Sequence, residues 1–328
     1  MKITKEYDFL LGAMSPIGFA GYFGQVLGNN YKKSILIKAA PGCGKSTLMK
    51  KIATHLLSTG HEVELIHCSS DPDSLDGVVC KDKGFSIVDA TAPHALEPLY
   101  PVAGEEILSL YAMLDKTQLH QYRDEISKLF SACQTLQERA CRYITAAGAL
   151  ITDSERFAAS ATDFSAAVDF AKSLSAKNIP RASGPAAEEI RLVSATTCKG
   201  QIFYLDTIVK LSAKKLIILN DEYGAVSKCI LKQIRDDALL KGHEIITCYC
   251  PMSPHEKIEH LFIPSLGLGF ATENSFHEVA SQNSRHIHCK RFMNEDILKL
   301  RRQRLHFNRK AATELLKEAT ELQKEAKI

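Results

Sequence analysis

The chain contains no run of eighteen apolar residues, and without one a membrane-spanning helix of ordinary length is excluded. It also lacks a strong charge of either sign. Lys and Arg number 41 against 38 Asp and Glu, and a net +3 is too small to imply a nucleic-acid or membrane partner by itself. The opening stretch, MKITKEYDFLLGAMSPIGF, has no clean apolar core followed by a cleavage site. It reads as mature protein without a secretory signal, and a cytoplasmic location is expected. Ten cysteines are many, but they are scattered and several lie in apolar runs. Without a signal peptide they are expected to be reduced rather than to form a disulfide framework.

At 328 residues the chain is long for one core, so two domains are expected; 45% hydrophobic and 24% charged residues are ordinary globular values. Residues 34–52 read SILIKAAPGCGKSTLMKKI. The isoleucine-rich start suits a buried parallel strand, and the segment after the glycines has helical spacing up to Gly60. Strand, glycine loop and helix are the context of a phosphate-binding loop. Gly42 and Gly44 let the backbone turn with its N–H groups inward, and those donors join the helix N-terminus in attracting phosphate oxygens. The expected nucleotide contacts are Pro41, Gly42, Cys43, Gly44, Lys45, Ser46 and Thr47. Lys45 would reach the β- and γ-phosphates, and the Ser46 hydroxyl would ligate Mg²⁺. The first glycine of the full G-x-x-x-x-G-K-[ST] pattern is Ala39 here.

A magnesium site needs a second anchor. HEVELIH reads as the next strand and GFSIVDAT as a third, with Asp89 at its C-terminal end, where an acid holds Mg²⁺ through water. Between them HCSSDPDSLDGVV carries Asp71, Asp73 and Asp76 just past a strand end, where ligands bind in open parallel sheets. Asp76 and Asp71 are the candidate general bases, with His94 of TAPHALEP behind them. An Asx-rich turn around Pro72 is the plainer alternative for the acids. No glutamate follows Asp89, which weakens a motor-type ATPase. No N-K-x-D stretch supports guanine.

The segments KAAPGCGKSTLMKKIA, VELIHCSSDPDSLDGVV and IVDATAPH together resemble a bacterial family of predicted ATPases with two tandem P-loop modules. The resemblance covers most of the chain and implies nucleotide binding and a P-loop NTPase fold. Members of that family tend to carry glycines where Ala39 and Ala40 stand, and an intact second loop. This chain departs on both counts.

The duplication is also legible directly. LIILNDEYGAVSKCILKQI at 216–234 aligns with 34–52 at an offset of 182, and LKGHEIITCYC at 240–250 aligns with STGHEVELIHC at 58–68. One extra residue then shifts the offset to 183, and His94 meets His277. In the copy, Gly44 becomes Val226, Lys45 becomes Ser227 and Ser46 becomes Lys228. Asp221 and Glu222 replace Ala39 and Ala40, and Asp89 becomes Thr272. The copy is expected to keep its fold and lose its nucleotide site. It would then serve as a structural or partner-binding platform, or supply an arginine across the interface, with Arg235, Arg285 and Arg291 as candidates.

Residues 104–175 have largely helical spacing, as a layer on the sheet or a lid bringing Arg139 and Arg142 to phosphates. SAKNIPRASGPAAEE, residues 175–189, reads as the linker. The basic run KLRRQRLHFNRK at 299–310 is read as an exposed amphipathic helix, nucleic-acid contact being the lesser reading. RHIHC at 285–289 fits no zinc spacing.

The expected fold class is α/β: two tandem P-loop NTPase-like domains, each a mainly parallel sheet flanked by helices, with extra helical segments. The domains would span 1–180 and 181–328. The expected activity is ATP hydrolysis with Mg²⁺ at the first domain, Lys45, Asp76 and Asp71 being catalytic and Ser46 and Asp89 holding the metal. The alternatives are a small-molecule kinase using the Asp71–Asp76 stretch on a substrate hydroxyl, and a non-catalytic ATP-binding switch. The expected partners are a nucleotide and a protein docked on the second domain, with no membrane.

Overall fold

The computed structural model describes residues 5–28, 31–281 and 284–327. The apolar runs become strands where turn residues bound them. The first half runs β1 (Glu6–Phe9), β2 (Gly12–Ser15), β3 (Gly18–Gly21), β4 (Lys33–Lys38), α1 (Lys45–Ser58), β5 (Val63–His67), β6 (Leu75–Cys80), β7 (Phe85–Asp89) and β8 (Glu105–Ser109). Three helices follow: α2 (Lys116–Gln121), α3 (Arg123–Ser160) and α4 (Phe164–Asn178). The second half repeats the order with β9 (Ala187–Arg191), β10 (Ser194–Thr197), β11 (Gly200–Phe203), α5 (Leu205–Leu211), β12 (Lys215–Asn220) and α6 (Ala225–Leu240). It continues through β13 (Glu244–Tyr249), β14 (Ile258–Ile263), β15 (Leu268–Glu273), β16 (Ser284–His288), α7 (Glu295–Lys299) and α8 (Arg302–Lys327).

Each half builds one six-stranded sheet, ordered β1-β5-β6-β7-β4-β8 and β16-β12-β15-β14-β13-β9. Each sheet is mainly parallel, as expected, but carries one reversed strand. β6 pairs antiparallel with both β5 and β7, and β14 does the same between β13 and β15. The expectation missed these strands because it read residues 67–79 as a loop between parallel neighbours. LDGVVC is instead a fully buried strand, joined to β7 by a turn too short for a parallel crossover. The linker is also shorter than read: α4 runs to Asn178 and β9 starts at Ala187. By packing α4 belongs to the second half, since it lies along α6. No helix among the described residues is long and apolar enough to cross a membrane.

The two sheets share one core. Leu36, Ile66, Val79 and Val88 of the first half and Leu216, Ile218, Ile246 and Phe262 of the second belong to a single buried cluster. The halves also join through backbone. Leu10 donates to the Leu192 carbonyl at 2.8 Å and accepts from Leu192 N–H at 2.9 Å. Leu192 is the repeat partner of Leu10 at the offset of 182, so the bridge lies on an approximate two-fold axis. Beside it a buried ion cluster spans the junction. Arg191, fully buried, donates to Glu64 at 2.8 Å, and Lys81 reaches both Glu64 and Glu189. Burial alone would raise the Glu64 pKa, but Arg191 and Lys81 hold it down to about 2. The repeat positions of Arg191 and Glu64 are Phe9 and Ile246, both in the shared apolar core.

The long helices α3 and α8 pair antiparallel across the β2–β3 and β10–β11 hairpins. Cys133 lies by Ala326, and Arg304 and Asn308 bond Asp153. Ala140, Ile144 and Ala147 meet Ala312, Leu316, Ala319 and Leu322 at three- and four-residue spacing, which puts each set on one helix face.

Breaking one partner of a buried ion pair strands the other. Arg191→Ala is expected to cost about 3–5 kcal/mol in chemical denaturation. The double variant Arg191→Phe with Glu64→Ile, which installs the apolar pair of the repeat positions, should be more stable than either single variant. A double variant less stable than both singles contradicts this account of the junction.

Candidate functional site

Between β4 and α1 the chain must reverse within residues 39–44. Gly42 and Gly44 sit at φ 77° and 81°, where a side chain would strain the backbone. Ala39 is fully buried and its methyl packs into the apolar cluster with Met49 and Val78, so the departure from glycine is absorbed behind the loop. Gly44 caps α1 without a side-chain acceptor. Among the described residues no group accepts from the backbone N–H of Gly42, Gly44, Lys45 or Ser46. Four backbone donors without an acceptor are thus gathered at the N-terminus of α1.

Lys45 folds back against the start of the loop. Its ammonium donates to the carbonyls of Ala39 at 2.9 Å and Ala40 at 3.1 Å, and lies 3.4 Å from Asp89 Oδ2. The other Asp89 oxygen accepts from Thr91 N–H at 2.9 Å, and the Thr91 hydroxyl donates to Ala39 carbonyl, stitching the ends of β4 and β7 together. The Ser46 hydroxyl accepts from Leu75 N–H at 3.0 Å, which ties the first turn of α1 to the residue before Asp76.

Asp76 sits on β6, buried, beside Asp89 and His94; one ligand atom from each of the three lies within 4.8 Å of the others. Burial, and then the neighbouring Asp89, push the Asp76 carboxyl up to about 7. His94 stacks on Phe23 at 4.4 Å between centroids, with Nε2 3.9 Å from Asp76 Oδ2 and Nδ1 buried without a partner. Burial lowers its pKa. Lys45, Ser46, Asp76, Asp89 and His94 are thus brought together.

Asp71 and Asp73 are placed elsewhere. Asp71 accepts from Asp73 N–H at 3.3 Å, the Asx-turn around Pro72, and also from the Ser74 hydroxyl and Lys327, while Asp73 pairs with Lys199. Pro41, Cys43 and Thr47 lie on the loop and first turn, Pro41 and Thr47 exposed. None of the three cross-interface arginines reaches this site. Arg235 pairs with Glu188, Arg291 lies over Phe170 and Phe292, and Arg285 is exposed on β16. The second-half cations that reach Asp73 and Asp71 are Lys199, from the β10–β11 turn, and Lys327, at the end of α8. Arg139 and Arg142 are exposed on α3. In the basic run, Arg304 and Arg309 pair with Asp153 and Glu222, and at RHIHC no three-ligand cluster forms among the described residues.

The second half rearranges the same ground. α6 begins two residues earlier than α1 in the repeat register. Asp221, buried, accepts from Ser227 N–H at 2.7 Å, and Ser227 stands at the position of Lys45. Lys228, at the position of Ser46, pairs with Glu155 of α3 at 3.0 Å. The lysine absent from the loop is replaced from another strand end. A Cβ at Gly224 would lie 2.4 Å from Lys257 Nζ, so that ammonium rests against the turn before α6. Glu259 and His277 stand where Asp76 and His94 stand. The offset of 183 matched the histidines, and extended back it would have found Glu259; nothing in the sequence marked Lys257 or Lys199.

A family model described as Nephrocystin 3, N-terminal matches residues 22–145, which span the first loop, Asp76, Asp89 and His94 and end within α3. No curated protein and no solved structure matches the chain.

Because folding raises the Asp76 pKa, the unfolded chain releases that proton first. The stability this acid contributes is complete below about pH 4 and fades as pH climbs through about 7. Asp76→Asn cannot ionise. In thermal melts without metal or nucleotide, its advantage over wild type should widen from about pH 4 to pH 8. A constant gap across that range would contradict the assigned ionisation.

Proposed function

We propose that the first half is a P-loop module that binds and hydrolyses ATP with Mg²⁺, and that the second is a degenerate copy with a structural, regulatory or partner-binding role. The observation that carries this reading is the set of free backbone donors over Gly42–Ser46, with Lys45 folded back against the start of the loop. Phosphate oxygens are the ligand such donors accommodate, and Lys45 would move from its carbonyls to the β- and γ-phosphates. Ser46 and Asp89 are the groups that would hold Mg²⁺, which supplies neutralisation of the developing phosphate charge. Asp76, its carboxyl poised at about 7, would take the proton of the attacking water.

The rest of the site fits this division. Asp71 and Asp73 are engaged by Ser74, Lys327 and Lys199, which leaves Asp76 as the acid of that stretch for either hydrolysis or the kinase alternative. Asp221 accepts the donor that a phosphate would need in the second loop, and a carboxylate there also repels one. Ten unpaired cysteines support a reducing, cytoplasmic compartment. The tandem bacterial resemblance agrees with the repeat.

Calorimetry with ATP and Mg²⁺, with phosphate release followed in the same samples, is the test. Wild type should bind at one site per chain, and Lys45→Ala should lose binding or slow release by roughly 10²-fold or more. Binding without release would replace hydrolysis by the kinase or the switch alternative. Two sites per chain would overturn the account of the second loop.

A further inference from the structure

The second half carries a side-chain cluster that the nucleotide reading does not use. Glu259 and His260 of β14 and His277, beyond β15, each place one ligand atom within 4.8 Å of the others. Glu259 Oε2 lies 3.9 Å from His260 Nε2, and the two imidazoles meet edge to face at 5.4 Å between centroids. Both strand residues are buried.

His260 is the telling member. Among the described residues neither of its ring nitrogens has a hydrogen-bond partner, and the buried Thr272 hydroxyl nearby has none either. Buried polar atoms are normally satisfied, so an imidazole orphaned at both nitrogens points to a ligand of another kind. Burial lowers the His260 pKa to about 3, which keeps the ring neutral and its lone pair available. His277 is oriented for the same task. Its Nε2 lies 3.0 Å from the Thr272 carbonyl, which can only accept, so Nε2 carries the proton and Nδ1 keeps the lone pair. Burial would raise the Glu259 pKa, but the neighbouring Lys257 ammonium lowers it and favours the carboxylate.

The repeat register sharpens the comparison. The first half has Asp76, Asp89 and His94, an oxygen-rich set that suits Mg²⁺. In the second half Asp76 becomes Glu259 and His94 stays as His277. Asp89 is lost to Thr272, and a new imidazole, His260, stands where the first half has Gly77. Two imidazoles and one carboxylate suit a borderline-soft cation. Glu259 and His277 also line a small cavity of about 80 Å³, together with Thr196, Phe203, Lys257 and Phe276.

We propose that Glu259, His260 and His277 bind a divalent transition-metal ion, zinc or a similar nitrogen-preferring cation, with its remaining coordination position open to this cavity. Three protein ligands with one open position is the arrangement of a reactive rather than a purely structural metal site. The buried Lys257 on the same wall favours an anionic group on whatever shares the cavity.

The test uses the full chain, stripped with chelator and titrated with Zn²⁺ and with Co²⁺, whose visible d–d bands report coordination. One ion per chain is expected at this cluster. It should be retained by Asp89→Asn, which disables the first-half cluster, and by Cys80→Ser, which removes a ligand from the surface set His61, Cys80 and Asp82. It should be weakened about tenfold or more by His260→Phe and by His277→Gln. Phenylalanine fills the His260 site beside Phe203 without a polar atom, so this variant should fold while losing the zinc-dependent rise in melting temperature seen in wild type. X-ray absorption on the wild-type zinc complex, which needs no variant, should show two imidazole ligands. The proposal is overturned if stripped wild type takes up no ion, if uptake follows Asp89→Asn or Cys80→Ser instead, or if the bound ion lacks imidazole ligands. Nucleotide binding enters none of these readouts, so failure here and failure of the ATPase reading are separable.

Discussion

The meeting of the two halves around Leu10 and Leu192 is the constraint on which the molecule depends. A residue that exchanges both backbone hydrogen bonds with its own repeat partner fixes a local two-fold axis. The inner faces of the two sheets then meet and bury one common core. The same axis sets the hairpins β2–β3 and β10–β11 side by side, which gives α3 and α8 a continuous floor. Without that contact each sheet would present an apolar face to water, at a cost that scales with its area.

The crossing helices tie each loop to the opposite half. α3 is rooted in the first half, yet its Glu155 holds Lys228 in the second loop. α8 is rooted in the second half, yet its Lys327 holds Asp71 beside the first. The degenerate copy therefore contributes to the surroundings of the intact loop whether or not it binds anything. Its contribution is made by lysines at a turn and a helix end, where sequence reading had looked for arginines.

What was legible in the sequence follows from what each signal measures. The glycine loop, Asp89 and the repeat were readable because backbone sterics and strand periodicity leave local traces. Asp76 was found as a residue but placed in a loop, since a short apolar run between turn residues does not reveal its direction. The junction was not legible. Arg191 stands on a polar strand, and its burial is compensated largely by the facing Glu64, 127 positions away, together with Glu189. Lys257 was hidden for a similar reason: its ammonium replaces the lost loop lysine from a different strand end, and linear alignment compares positions rather than points in space.

The ion pair at the junction is also one-sided. On one side of the two-fold axis stand Arg191 and Glu64; on the other stand Phe9 and Ile246. In an assembly of two identical subunits every substitution appears twice, so a cation and its counter-charge on one side alone cannot be installed. Two copies encoded in one chain are free of that rule. The lopsided junction is a charge arrangement that two identical subunits could not carry on one side alone, and that two copies joined in one chain can.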